Sequence, residues 1–108
     1  MTQITVTEPD PAFQKLIELF LVELGARAEA FRRASMTGDR VMLRSLAHQL
    51  KGSAGGYGHV ELGVLAGIVQ QDCLDNVSHA KLKQSVDALI HACEEASSAE
   101  IVFAAEGV

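Results

Sequence analysis

A chain of 108 residues with fourteen acidic against nine basic side chains and a net charge of -5 has room for one domain and lacks the basic balance of a nucleic-acid binder. Apolar residues make up 48% of it but aromatics only 5%, so its core must be assembled from Leu, Val, Ile and Ala, a composition that suits packed helices. Charges interrupt every apolar stretch before the roughly 18 residues of a membrane span, and residues 1–10 have neither a basic flank nor an apolar signal core; the expectation is a cytoplasmic protein without a membrane segment.

Residues 1–9 alternate weakly at Ile4 and Val6, but a single short run has no second strand to pair with, so it predicts an N-terminal extension lying on the rest of the protein. The first helix has a clear start at Asp10-Pro11, where a carboxylate can cap free amides and a proline fits the first turn. Phe13, Leu16, Ile17, Phe20, Leu24 and Phe31 then share one face, and the helix should run to about Ser35, before the turn Thr37-Gly38-Asp39. A second apolar patch, Leu19, Leu21 and Val22, exceeds what one face needs; it either meets a partner or the N-terminal extension, or marks a helix buried on two sides.

The second helix opens near Asp39 with Leu43, Leu46, Ala47, Leu50, Ala54 and Tyr57 on one stripe, and Gly58 is placed to stop it. Leu62, Leu65, Ala66, Val69 and Cys73 define a third helix; after the Asp75-Asn76 turn and a Ser78 cap, Leu82, Val86, Leu89, Cys93 and Ala96 define a fourth. Short connections between four amphipathic helices predict an all-α fold, an antiparallel up-down-up-down four-helix bundle over residues 10–97. Residues 98–108 either prolong the fourth helix toward Phe103 or fold back as a tail. Cys73 and Cys93 lack CxxC spacing and a ligand cluster, which predicts buried reduced thiols.

At about 100° per residue, His48 lies roughly 150° from the centre of the second helix's apolar stripe, so its imidazole should face water. Gly52 is one turn ahead on the same face, Arg44 and Ser45 are one turn back, and Lys51 borders the buried side. An imidazole nitrogen is a competent nucleophile near neutral pH, and Lys51 can set an ammonium beside phosphoryl oxygens. In-line transfer requires close approach, which a bulky side chain one turn from His48 would block and a glycine permits. Gly52, Gly55 and Gly56 fall where the pattern still reads as helix, at a propensity cost of about 1 kcal/mol each relative to Ala, so access for another protein explains them better than local stability does.

Taken singly, a histidine on a wet helix face is usually only solvated, a flanking lysine is ordinary, and the glycines could be a frayed helix end. His59, His79 and His91 form no pair with each other or with His48 at the four-residue spacing of a helical metal site, so no metal is expected. The run from Gly52 to Gly58 lacks the following Lys and Ser or Thr of a nucleotide-binding loop.

The segment Ala47-His48-Gln49-Leu50-Lys51-Gly52-Ser53-Ala54-Gly55-Gly56-Tyr57-Gly58, followed by Leu62, closely resembles the histidine phosphotransfer domains of two-component phosphorelays, including their His-x-Leu-Lys-Gly pattern. The likeness extends to the Phe20-Leu21 pair and the Gly38-Asp39 turn and spans nearly residues 10 to 95. It implies His48 as phosphoacceptor, Lys51 and Gly52 as supporting positions, and Gln70 on the third helix as a polar neighbour hydrogen-bonded near the phosphohistidine. Arg44, Ser45 and Gly55 are candidates for partner binding or support. The family's activity would make the chain a phosphoryl carrier without autokinase activity, a monomer that meets receiver domains of response regulators and a hybrid sensor histidine kinase. It would bind no cofactor, with Mg²⁺ supplied by the receiver. Gly63 and Gly67, which weaken the third helix, and the aromatic Tyr57 depart from the family pattern. Two other classes compete: a docking module that binds receiver or kinase domains without carrying phosphate, and a metal-binding bundle enzyme, which would need inward-facing Glu and His pairs that the stripes lack.

Overall fold

Each helix begins where a side chain can accept a hydrogen bond from its unpaired first-turn amides. In the computed structural model, which describes residues 3–6, 10–98 and 100–103, Asp10 accepts from the Ala12 amide at 2.9 Å and opens α1, Pro11–Met36. Asp39 accepts from Met42 at 3.0 Å and opens α2, Arg40–Gly56; Ser78 accepts from Lys81 at 3.2 Å and opens α4, His79–Ser97. Between them α3, Val60–Leu74, is capped by His59, whose Nδ1 accepts from the Leu62 amide at 3.4 Å. The turns that stop α1 and α2 pass through Gly38 at φ +69° and Gly58 at φ +74°, a left-handed backbone that glycine adopts without strain.

Three- and four-residue connections make each helix antiparallel to the one before, and α1–α2, α2–α3, α3–α4 and α4–α1 contacts close the up-down-up-down bundle. The predicted stripes form its interior: Leu24, Phe31, Leu43, Leu50, Leu62, Val69, Val86, Leu89 and Cys93 are fully buried. Asp72 is the buried charged residue among those described; Lys81 donates to both its carboxylate oxygens at 3.1 Å and ties α3 to α4.

The structure corrects the sequence reading in four places. Phe13 and Leu16 share the core stripe but remain 38% and 47% exposed. With 26 residues, α1 is about 39 Å long against about 26 Å for α2, so its first turns lie beyond the end of its neighbour. Tyr57 closes the core at that end, stacking on Phe20 with ring centroids 4.7 Å apart and reaching Phe13 at 6.3 Å. Of the second patch on α1, Leu21 is buried in the core while Leu19 and Val22 stay exposed.

The run at Ile4 and Val6 does have a partner. β1, Gln3–Val6, pairs in parallel with β2, Glu100–Phe103, in the register Gln3 to Glu100 through Val6 to Phe103. The start of α1 and the end of α4 lie at the same end of the bundle, which brings together segments almost a full chain length apart. The fourth helix therefore stops at Ser97 and is not prolonged to Phe103; residues 104–108 lie outside the described residues. Finally, both cysteines are free, but only Cys93 is buried and Cys73 is half-buried. No helix among the described residues is long and apolar enough to cross a membrane.

Candidate functional site

Along Arg40–Gly56, α2 carries Arg40, Arg44 and Lys51 and not one carboxylate, in a chain whose net charge is -5. With Leu43, Ala47, Leu50 and Ala54 buried, helical geometry turns His48, Arg44, Ser45, Lys51, Gly52 and Gly55 outward, and all six are exposed. Arg40 is the exception among the cations: it donates to the Val77 carbonyl at 2.7 Å and fastens the start of α2 to the α3–α4 connection. Arg44 and Lys51 make no ion pair with the described residues.

Antiparallel packing sets Gln70 of α3 beside His48, with its side-chain nitrogen 3.2 Å from Nδ1 of the imidazole. A glutamine amide offers that nitrogen either its NH₂ or its oxygen according to its rotation, so the ring tautomer and the amide orientation are set together. Either way Nδ1 is engaged and Nε2 is the ring nitrogen without a partner among the described residues. Val41, Arg44, Ser45, His48 and Gln70 line one shallow concavity, and the Ser45 hydroxyl accepts from Gln49 at 3.5 Å.

One turn along, the seam changes character. The Lys51 stem crosses α3 at Gly67, where a Cβ would stand 3.8 Å from its Cδ and Cε, and it borders an apolar groove that includes Gly55, Gly63, Val64 and Ile68. A Cβ on Gly52 or Gly55 would meet nothing within 4 Å, so this strip of α2 is bare backbone open to the outside. The structure thus brings Arg44, Ser45 and Gln70 to His48 in one concavity and sets Lys51 and Gly55 in the adjoining groove, with Gly52 on the outward face between.

Sequence reasoning missed the apolar rim. Val41, Val60, Val64 and Ile68 are all exposed, Val60 by 74% and Val64 by 56%. On α3 they recur every four residues on the side opposite Leu62, Ala66 and Val69, a second stripe that the periodicity contained. It also missed His59 as a cap, since histidine is outside the usual capping set.

An exposed imidazole with one nitrogen held and the other free, two unpaired cations and an unobstructed backbone can take up and release a small anionic group presented by another macromolecule. Compared with known proteins, residues 15–99 match the family model described as Hpt domain. Neither a curated protein nor a solved structure matches the chain.

Proposed function

Since the chain belongs to the Hpt, or histidine phosphotransfer, domain family, whose members are phosphoryl-carrier modules rather than kinases and work with two-component kinases and receiver domains in phosphorelay signalling, we propose that it accepts a phosphoryl group on His48 from a receiver-domain aspartate and passes it to the aspartate of another. The observation that carries this is the exposed His48 ring, anchored at Nδ1 by Gln70 and open at Nε2.

With the Gln70 amide nitrogen facing Nδ1 the ring proton would sit on Nε2; a half-turn of the amide presents its oxygen instead, keeps the proton on Nδ1 and puts the lone pair on Nε2, and this is the form that reacts. That pair attacks phosphorus as the P–O bond of the receiver's acyl phosphate breaks, and the bonding electrons leave on the aspartate as carboxylate. In the second transfer the N–P bond breaks, its electrons return to Nε2, and a new aspartate oxygen takes the phosphoryl group. Such steps are governed by placement and charge. Lys51 and Arg44 offset the charge that the phosphoryl oxygens bring, and Gly52 and Gly55 admit the partner's backbone. The receiver supplies Mg²⁺ from its own acidic site, and the partners are response-regulator receivers and a hybrid sensor kinase. Every residue of the site comes from α2 and α3 of one chain, so a monomer suffices, acting in the cytoplasm.

The test is incubation with a receiver domain carrying labelled phosphate on its aspartate. The chain should acquire acid-labile, alkali-stable label, and His48→Gln should acquire none while melting within a degree or two of the parent, because the ring is exposed and outside the core. Label that survives His48→Gln overturns the assignment. A parent chain that binds the receiver but takes no label is a docking module.

A further inference from the structure

The α2–α3 seam is a ladder of facing residues, stepping one turn along each helix in opposite directions. The first rung is His48 with Gln70, joined at 3.2 Å; the second is Lys51 with Gly67. At the second rung one partner has no side chain, and the Lys51 stem occupies the space, with Cδ and Cε each 3.8 Å from the point where a Cβ of residue 67 would stand. A glycine at that place is costly by propensity, about 1 kcal/mol relative to Ala in a helix interior, and it does not serve a turn, since Gly67 lies well inside Val60–Leu74. Nor does backbone crowding require it, because among the described residues the atoms within 4 Å of a Cβ there belong to Lys51. What the missing side chain does is leave the surface of α3 free for the lysine to lie on, one turn from the Gln70–His48 contact.

We infer that Gly67 is a positioning residue for Lys51: bare backbone at this rung holds the lysine stem against α3 and so fixes where its ammonium stands relative to a phosphoryl group on His48. The inference deepens the proposed phosphotransfer reading and rests on it. A Cβ alone at position 67 makes an ordinary contact with the stem, whereas a longer side chain takes its seat and turns Lys51 toward solvent, where its many rotamers dilute the charge near His48.

The experiment is a double-mutant cycle of Lys51→Ala and Gly67→Gln on the full chain, with Gly67→Ala as the conservative variant, reading transfer rate from a phosphorylated receiver, melting temperature, and nuclear Overhauser contacts between the Lys51 methylenes and the residue 67 Hα. Lys51→Ala should slow transfer on the order of tenfold, as expected for loss of one charge-assisted contact. Gly67→Gln should slow it nearly as much alone and not at all further in the Lys51→Ala background, while melting no lower than the parent; Gly67→Ala should keep both the Overhauser contact and the rate. Transfer by Gly67→Gln at the parental rate overturns the inference. So does a slowing that persists undiminished without Lys51, which would make residue 67 an obstacle to the partner. Failure of the parent chain to take label at all strikes instead at the phosphotransfer reading, and the Overhauser contact still reports whether Lys51 rests on Gly67.

Discussion

The two sides of the bundle differ in how their charged side chains are committed. On the α1–α4 side several cations are held by carboxylates, Arg27 by Glu23, Arg32 by Glu29 and Glu94, and Lys83 by Asp87 at 2.7 Å, while Lys15 and Arg33 make no ion pair with the described residues. On the α2–α3 side Arg44 and Lys51 have no ion-pair partner among the described residues and stand beside exposed glycines and valines. Exposed ion pairs are worth little in water, so an unpaired surface cation is ordinary by itself; set beside exposed apolar side chains and bare backbone, as on α2–α3, it marks a place where an anionic partner can be met. The contrast says that mutations on the α2–α3 side should affect transfer more than folding, and that the α1–α4 side and the core behind it should do the reverse.

The sharpest way to break that contrast is Gly52→Leu. Its Cβ meets nothing, and leucine is the better helix former by close to 1 kcal/mol, so the melting temperature should hold or rise. Transfer from a phosphorylated receiver should fall by on the order of a hundredfold, because the reacting atoms are held apart. Quench-flow transfer rates set beside a thermal melt decide it, and equal losses of both would make Gly52 a structural residue.

Of intermediate size is a pH effect from the core behind α4. Burial pushes the Cys93 thiol up to about 11, and burial raises Cys73 in the same direction. The native protein therefore keeps a proton that the unfolded chain releases at an ordinary thiol pKa of about 8.5. Stability should be independent of this group below that pH and should decline as the pH climbs from there toward 11. Urea midpoints across this range should fall for the parent, and Cys93→Ala, though less stable at every pH, should show a shallower decline. An identical slope in both proteins would clear Cys93 of the effect.

The smallest expected change comes from Lys83→Ala on the α4 surface. Its ion pair with Asp87 joins two side chains that are each more than half exposed, one helical turn apart, and is worth roughly 0.3–0.5 kcal/mol. Denaturant titration should barely register the substitution and transfer should proceed at the parental rate; a clear loss of transfer would extend the partner-facing surface to the far side.

The core was legible because helical periodicity is local: Leu24, Leu50, Val69 and Leu89 stand in stripes that any window of a few turns displays, and all four are buried. The outward direction of His48 followed from the same arithmetic. What depends on two distant segments was not legible from the residues themselves. Gln70 reaches His48 only through the register of α2 on α3, and here the family likeness, not the spacing, supplied the expectation. The pairing of Gln3–Val6 with Glu100–Phe103 is invisible to a local pattern, and the exposure of Phe13 and Leu16 depends on how much longer α1 is than its neighbour. Gly67 stood out in the sequence as a weakening of its helix, and its use appears once Lys51 is laid across it.

The absence of any carboxylate from α2, in a molecule with an excess of them elsewhere, makes the helix that bears His48 a positive pole in an acidic protein. On the proposed reading, a receiver with its phosphorylated acidic pocket leading would be turned toward that pole while still about a Debye length away, near 8–10 Å at physiological ionic strength. Added salt would then slow the encounter of the two proteins while leaving the intrinsic reactivity of the imidazole untouched.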